Sequence, residues 1–211
     1  MSEGRQGSGV GALFVVSAPS GAGKTSLVRA VLEQDDGLCV SVSHTTRGRR
    51  PTEVDGRNYH FVDVATFEEM IGANRFLEHA RVFGNYYGTS SDWVDERLAA
   101  GVDVILEIDW QGAEQVRRLR PAARGIFIVP PSLTTLEARL RGRGEDEDAA
   151  IARRLSEAQL EMAHHVEFDY VVVNDDFDDA VRDLLAIFRA ERLGLQRTSR
   201  ANAELLRALL A

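Results

Sequence analysis

The sequence predicts an α/β domain built on a parallel core sheet with helices on both faces. Short apolar runs of strand length alternate with stretches whose apolar residues recur at helical spacing. Between the first such strand and the first such helix stands Gly23-Lys24-Thr25. At 211 residues the chain has room for one domain of this kind with small insertions and a sizeable core.

The elements are read in order. Leu13 to Val16 is a buried-type strand, and Leu27, Val28, Val31 and Leu32 form the apolar stripe of the helix after it. Cys39 to Ser43 reads as a second strand. His44 to Pro51, basic and polar, reads as a loop. Tyr59 to Val62 is a strand candidate, and Asp63 is placed to cap a helix with Phe67, Met70 and Ile71 on one face. Phe76 to Phe83 reads as a strand, Gly84 to Gly88 as a turn, and Asp92 to Ala99 as a helix. Val102 to Ile108 is strongly apolar and ends beside Glu107 and Asp109, before a helix over Ala113 to Leu119. Gly125 to Val129 is a strand stopped by Pro130-Pro131. Ser132 is an N-cap for a helix with Leu133, Leu136 and Leu140 inward. Helices carrying Ile151, Leu155, Ala158 and Met162, and later Val181, Leu184, Leu185 and Phe188, flank a strand at Tyr170 to Val173. Asn202 to Leu210 adds a short terminal helix. Residues 45–96 interrupt the alternation with polar, antiparallel-looking material and read as an inserted subdomain.

Composition narrows the function. The net charge of −8 and the pI near 5.2 argue against general nucleic-acid affinity, which needs a basic face. The acidic excess reads as a solvated surface. A lone cysteine, Cys39, excludes an intrachain disulfide and reads as a packed thiol, consistent with a reducing cytoplasm. Residues 1–11 are polar and glycine-rich, expected to be a disordered tail and not a signal peptide. No apolar run reaches membrane-spanning length. The five histidines have no metal-ligand spacing backed by cysteine.

Strand, small-residue loop and helix are the context of a phosphate-binding P-loop. Glycines let backbone N–H groups turn inward around a polyphosphate, and the helix N-terminus adds a positive field. Lys24 is suited to neutralise the β and γ oxygens, and the Thr25 hydroxyl to reach Mg²⁺. Residue 18, where the full pattern has its first glycine, is alanine. Elsewhere, Arg47, Arg49 and Arg50 lie in one loop, and arginine's planar fork suits phosphate. Arg139 and Arg143 are one helical turn apart, with Arg141, Arg153 and Arg154 nearby. These arginines fit either a closing lid or surface pairing with Glu145, Asp146, Glu147 and Asp148; composition does not separate the two. Glu107 and Asp109, at a strand end, fit the acid that helps hold hydrated Mg²⁺ or a solvated pair.

With these residues in view the chain resembles the guanylate kinase family, most closely its bacterial members. The blocks are Ser17-Ala-Pro-Ser-Gly-Ala-Gly-Lys-Thr25, Ser41-Val-Ser-His-Thr-Thr-Arg47, Gly84-Asn-Tyr-Tyr-Gly88, Glu107-Ile-Asp-Trp-Gln-Gly112, Leu140 to Gly144 and Val173-Asn-Asp-Asp176. They run in order over residues 13–192. The resemblance implies a P-loop NTPase three-layer fold with a parallel core sheet, an inserted GMP-binding subdomain and a helical lid. It divides the chain into a core (12–44, 97–138 and 165–193), an insert (45–96), a lid (139–164) and a helical tail (194–211). It implies ATP-dependent phosphorylation of GMP and dGMP, with Mg²⁺ accompanying ATP, in the cytoplasm; nucleic-acid and membrane partners are not expected, and self-association is left open.

Residue by residue, the resemblance implies that ATP is held by Ala18, Pro19, Ser20, Gly21, Ala22, Gly23, Lys24 and Thr25, with Asn174 near the adenine. Arg47, Arg50, Tyr59 and Tyr87 hold the GMP phosphate. Ser43, Glu78, Thr89 and Asp109 read or flank the base. Lys24, Arg139, Arg143 and Arg154 stabilise the transferring phosphoryl group. Thr25 reaches the metal, with Glu107 a further candidate; the family usually has aspartate at position 107, so the reach differs. The residue types suit these roles. Guanine offers adjacent N1–H and N2–H₂ donors, and one carboxylate at Glu78 can accept from both, while hydroxyls at Ser43 and Thr89 can donate to O6. A non-catalytic binding module has little use for Lys24 and Thr25. A sugar-phosphate kinase has little use for Ser43, Glu78 and Thr89.

Overall fold

The computed structural model describes residues 11–82, 84–142 and 148–211. Its strands are β1 (Leu13–Ser17), β2 (Leu38–Val40), β3 (His44–Thr45), β4 (His60–Phe61), β5 (Phe76–Val82), β6 (Asn85–Ser90), β7 (Asp103–Glu107), β8 (Arg124–Val129) and β9 (Tyr170–Val173). Its α-helices are α1 (Lys24–Leu32), α2 (Val64–Gly72), α3 (Ser91–Ala99), α4 (Trp110–Leu119), α5 (Leu133–Arg141), α6 (Asp148–Met162), α7 (Phe177–Leu193), α8 (Leu195–Ala201) and α9 (Ala203–Leu210), with a 3₁₀ turn at Ala163–Glu167 after α6.

Five strands form a parallel sheet in the order β2-β7-β1-β8-β9. The central strand β1 is buried along its whole length, because a parallel sheet is covered on both faces. Its alternation sorts the core. Phe14 and Val16 face a cluster with Leu27, Val28 and Val31 of α1 and Ala180, Val181, Leu184 and Phe188 of α7. Leu13 and Val15 face the opposite cluster, with Val94 of α3 and Ala113 and Val116 of α4. Each fully buried side chain of this size is worth about 1.5–3 kcal/mol. The layered α/β fold expected from the sequence is therefore present.

The second sheet, β4-β3-β6-β5, is mixed: β3 runs parallel to β4 and antiparallel to β6, which pairs antiparallel with β5. Phe67 of α2 stacks on Phe76 at 4.5 Å and on Tyr86 at 5.2 Å, giving this sheet its own aromatic core. A register shift between Phe76 and Glu78 breaks the alternation of β5, so Phe76, Leu77 and Glu78 are all buried. Phe76 joins the aromatics, Leu77 reaches the α3–α4 cluster of the main core, and Glu78 stands opposite Thr89.

Several expectations change. Only Gly84 of the expected Gly84–Gly88 turn lies outside a strand; Asn85 to Gly88 belong to β6. Their turn-like composition has a packing cause at Gly88, where a Cβ would meet the Glu78 carbonyl oxygen and the Phe76 ring at 3.0 Å. Leu133 is exposed, not inward. The second strand stops at Val40, and a two-residue strand, β3, lies in the expected loop. The tail holds two helices, α8 and α9, and α3 spans position 96, where the insert was expected to end. Of the expected N-terminal tail only Gly11 is described, its N–H donating to Leu98 O at 2.7 Å. Among the described residues no helix is long and apolar enough to cross a membrane.

Candidate active site

The loop between β1 and α1 turns through two left-handed glycines, Gly21 (φ 89°) and Gly23 (φ 94°). Gly23 also occupies the N-cap of α1, with no side chain capping the helix, so its first N–H groups are left for a ligand. Asn174, buried at the end of β9, supports the loop from beneath: its Nδ2 donates to Ala22 O at 2.7 Å. A Cβ at Gly23 would land on that same Nδ2. Asn174 thus braces the loop itself, with one of its two side-chain N–H donors spent on Ala22 O. Arg139 of α5 donates from Nη2 to the Asn174 carbonyl at 2.9 Å. Its Nη1 is buried with no hydrogen-bond partner among the described residues, the kind of orphan donor a phosphate oxygen would satisfy.

Lys24 lies under the loop and donates to Ile108 O at 3.2 Å. Burial lowers its pKa, opposed by the carboxylates of Glu107, Asp109 and Glu161. Thr25 Oγ1 donates to Glu107 Oε2 at 3.0 Å. Hydroxyl and carboxylate oxygens side by side at a phosphate loop are a hard donor set that suits Mg²⁺. No three His, Cys, Asp or Glu side chains converge into a metal cage among the described residues, and Mg²⁺ held by one or two protein oxygens plus phosphate needs none.

Across from the loop, Glu78 is buried and accepts from Thr89 Oγ1 at 2.6 Å, with Ser43 Oγ 3.3 Å from the same hydroxyl. Burial, reinforced by Asp109, pushes the Glu78 pKa up to about 7. Asp109 also accepts from Gly112 N at 2.8 Å and so caps α4. A Cβ at Gly112 would meet Glu78 Oε2 at 3.4 Å and Ile108 Cδ1 at 3.2 Å. Gln115 of α4 brackets the next residue of β5, accepting from His79 N at 3.1 Å and donating to His79 O at 3.2 Å. The stretch from Glu107 to Gly112 therefore faces Thr25 and Lys24 on one side and Glu78 on the other.

At the outer end of the insert, Arg47 lies over the rings of Tyr59 (5.5 Å) and Phe61 (5.8 Å), and Tyr59 meets Tyr87 edge-on at 5.9 Å. Glu53, which carried no signal in the sequence, grips Arg47 by two hydrogen bonds (2.7 and 3.1 Å) and accepts from Arg50 N at 2.8 Å. The Arg50 side chain is exposed.

The sequence blocks thus converge. A family model described as guanylate kinase matches residues 11–191. The chain belongs to the guanylate kinase family. The guanylate kinase of Vibrio cholerae is 56% identical over 205 residues, covering 96% of this chain and 99% of that one. That of Aliivibrio fischeri is 55% identical over 203 residues, covering 95% and 98%. The crystal structure of the guanylate kinase from Anaplasma phagocytophilum matches with a TM-score of 0.72 at 34% identity, covering 90% of each chain.

Of the arginines that family resemblance implies, Arg143 lies outside the described residues. Arg154 is on α6. Arg141 pairs with Glu137 (2.9 Å) and Asp148 (2.5 Å), and Arg153 with Glu157 (3.6 Å), so these two fit the surface-pairing alternative. Glu161, also unforeseen, is half-buried on α6, and burial, reinforced by Asp109, raises its pKa against the opposing pull of Lys24. A single acid on a helix of mixed charge gives no sequence signal; its role depends on how α6 packs.

Proposed function

We propose that the chain transfers the γ-phosphoryl group of ATP to GMP and dGMP through the residues just described. The observation that carries this reading is the Glu107–Gly112 stretch, which joins a phosphate loop to a buried carboxylate suited to guanine. ATP lies along residues 18–25, and GMP spans the insert, its phosphate at Arg47, Arg50, Tyr59 and Tyr87 and its base at Glu78, Thr89 and Ser43, flanked by Asp109. Residues 45–96 serve as the acceptor-binding piece and 139–164 as the lid.

Glu78 accepts from guanine N1–H and N2–H₂ as a carboxylate. Adenine lacks that donor pair, and sites built to bond a required group reject analogues without it by about 10⁴–10⁵-fold. The GMP phosphate is anionic near neutral pH, so its oxygen attacks without a strong general base, and positioning with charge stabilisation supplies most of the rate. Lys24 and Arg139, joined by Arg143 and Arg154 in this reading, neutralise the transferring group. When bound, Mg²⁺ supplies charge neutralisation of the β and γ oxygens, held by Thr25 and Glu107.

Incubation with ATP and, separately, GMP, dGMP, AMP, UMP or a ribose bisphosphate tests the reading. Diphosphate formed from GMP and dGMP alone is expected; no transfer, or equal transfer to AMP, overturns it. Lys24→Met is expected to lower kcat by about 10²–10³-fold, the scale seen when one charge-stabilising donor is removed, measured with GMP saturating.

A further inference from the structure

Strand β5 is an edge of the second sheet, so one row of its backbone N–H and C=O groups has no strand beside it. At His79 that row is closed by a side chain. Gln115 Oε1 accepts from His79 N at 3.1 Å, and Gln115 Nε2 donates to His79 O at 3.2 Å. A primary amide offers an acceptor and donors on one rigid plane, and here it spans both groups of a single residue. Gln115 follows Gly112 by one turn of α4, so the two share a helix face. A Cβ at Gly112 would stand 3.4 Å from Glu78 Oε2, which sets the helix backbone close against the carboxylate itself. The same helix buries Ala113 and Val116 in the cluster that takes Leu77. Leu77, Glu78 and His79 therefore meet α4 in succession: by apolar packing, by close approach to a glycine, and by a pair of hydrogen bonds.

For one carboxylate to accept from both guanine N1–H and N2–H₂, its two oxygens must lie near the plane of the base. Hydrogen bonds weaken steeply when misaligned, and a recognition group has to be held to within about 0.5 Å. Thr89 fixes Glu78 Oε1 from the β6 side at 2.6 Å. It does not fix how far the β5 backbone stands from α4. We propose that Gln115 is a positioning residue for base recognition, acting through Glu78: its amide sets the distance of β5 from α4 and so the fit of the carboxylate to the guanine donor pair. This rests on the proposed function, in which Glu78 is the acid that meets guanine.

The test compares GMP with inosine monophosphate, whose base keeps N1–H and O6 and lacks the 2-amino group, as acceptors for the full chain with ATP saturating. Gln115→Met keeps the length of the side chain and loses both hydrogen bonds, and Gln115→Glu keeps the acceptor for His79 N. Val181→Ala, in the core cluster on the other face of the main sheet, controls for lost stability, followed as melting temperature. Gln115→Met is expected to raise KM for GMP about tenfold, with kcat and KM for ATP within about twofold of wild type. The preference for GMP over inosine monophosphate, as a ratio of kcat/KM values, is expected to fall about fivefold, because a displaced carboxylate can follow one donor and not two. Gln115→Glu is expected between Gln115→Met and wild type. A preference within about twofold of wild type in both Gln115 variants overturns the proposal, as does an equal fall in Val181→Ala. Absence of GMP phosphorylation by wild type overturns the proposed function and this inference together, whereas transfer to GMP by wild type with an unmoved preference in the variants removes this inference alone.

Discussion

At the scale of single residues, Glu78 carries two opposed demands. Its pKa rises from an ordinary value near 4.5 to about 7 because the carboxyl is buried, with one hydroxyl donor from Thr89. A carboxyl raised in this way favours the fold when neutral. Its stabilising contribution is fully present below the unfolded value, falls as pH rises from about 4.5, and is gone above about 7. Glu78→Gln should therefore raise unfolding stability at pH 8, by on the order of 3 kcal/mol, and not at pH 4, as denaturant titration at the two pH values will measure. The same change should weaken GMP binding roughly 10–100-fold, since guanine loses a charged acceptor. Near pH 6.5, GMP binding should release a proton from Glu78, detectable as a buffer-dependent binding enthalpy. Glu53 sets a second test. By fixing both ends of the Arg47 fork it orients a group proposed to meet phosphate. Glu53→Ala should raise KM for GMP about tenfold, leave KM for ATP unchanged, and alter kcat little.

At the scale of elements, the phosphate loop depends on a strand far away in sequence. Asn174 at the end of β9 satisfies Ala22 O and fills the space that only a glycine at position 23 leaves. Asn174→Ala should cost about 1–3 kcal/mol, the penalty of a buried unpaired carbonyl, and raise KM for ATP more than KM for GMP. Thermal unfolding and steady-state kinetics check the two halves. What the sequence disclosed follows the same division. β1, α1 and the capping residues Asp63 and Ser132 were legible because period, length and cap chemistry are local. The β5 bulge was not, since it shows only when Leu77 is wanted by one core and Phe76 by another. β6 was hidden by turn-like Asn85 and Gly88, the latter dictated by close packing across strands. Lys24, Thr25 and the arginine loop are legible from their chemistry, whereas Ser43, Glu78 and Thr89 come only through the family resemblance, because Glu78 in its half-apolar strand reads by itself as exposed. Glu53 has no signal, because it acts on a partner brought close only by loop packing.

For the molecule as a whole, the end of the sheet opposite the loop is closed by an ion network of half-buried groups around the buried Asp103. Asp103 accepts from Ala12 N at 2.7 Å and pairs with Arg192 (2.6 Å) and Arg197 (2.7 Å), and Arg192 reaches on to Asp35 at 2.6 Å. Helices α7 and α8 are thereby tied to the first residues of β1 and to the β2 edge. Removing Asp103 leaves the half-buried Arg197 and Ala12 N without their partner, at about 2–4 kcal/mol, below the cost for a fully buried pair because the arginines reach solvent. Asp103→Asn should lower the melting temperature by on the order of 10 °C and leave both KM values near wild type, because the network lies at the far ends of the strands. Calorimetric melting and steady-state kinetics separate these outcomes.

The amide of Gln115 takes both backbone groups of His79, as a neighbouring strand would. Glu78, one residue before, is thereby moored to α4 as well as to Thr89 of β6, while Arg47 and Tyr59 stand further out on the same insert. If guanine binds Glu78 as proposed, its base meets the part of the insert that is anchored to the core, and its phosphate meets the part that is not.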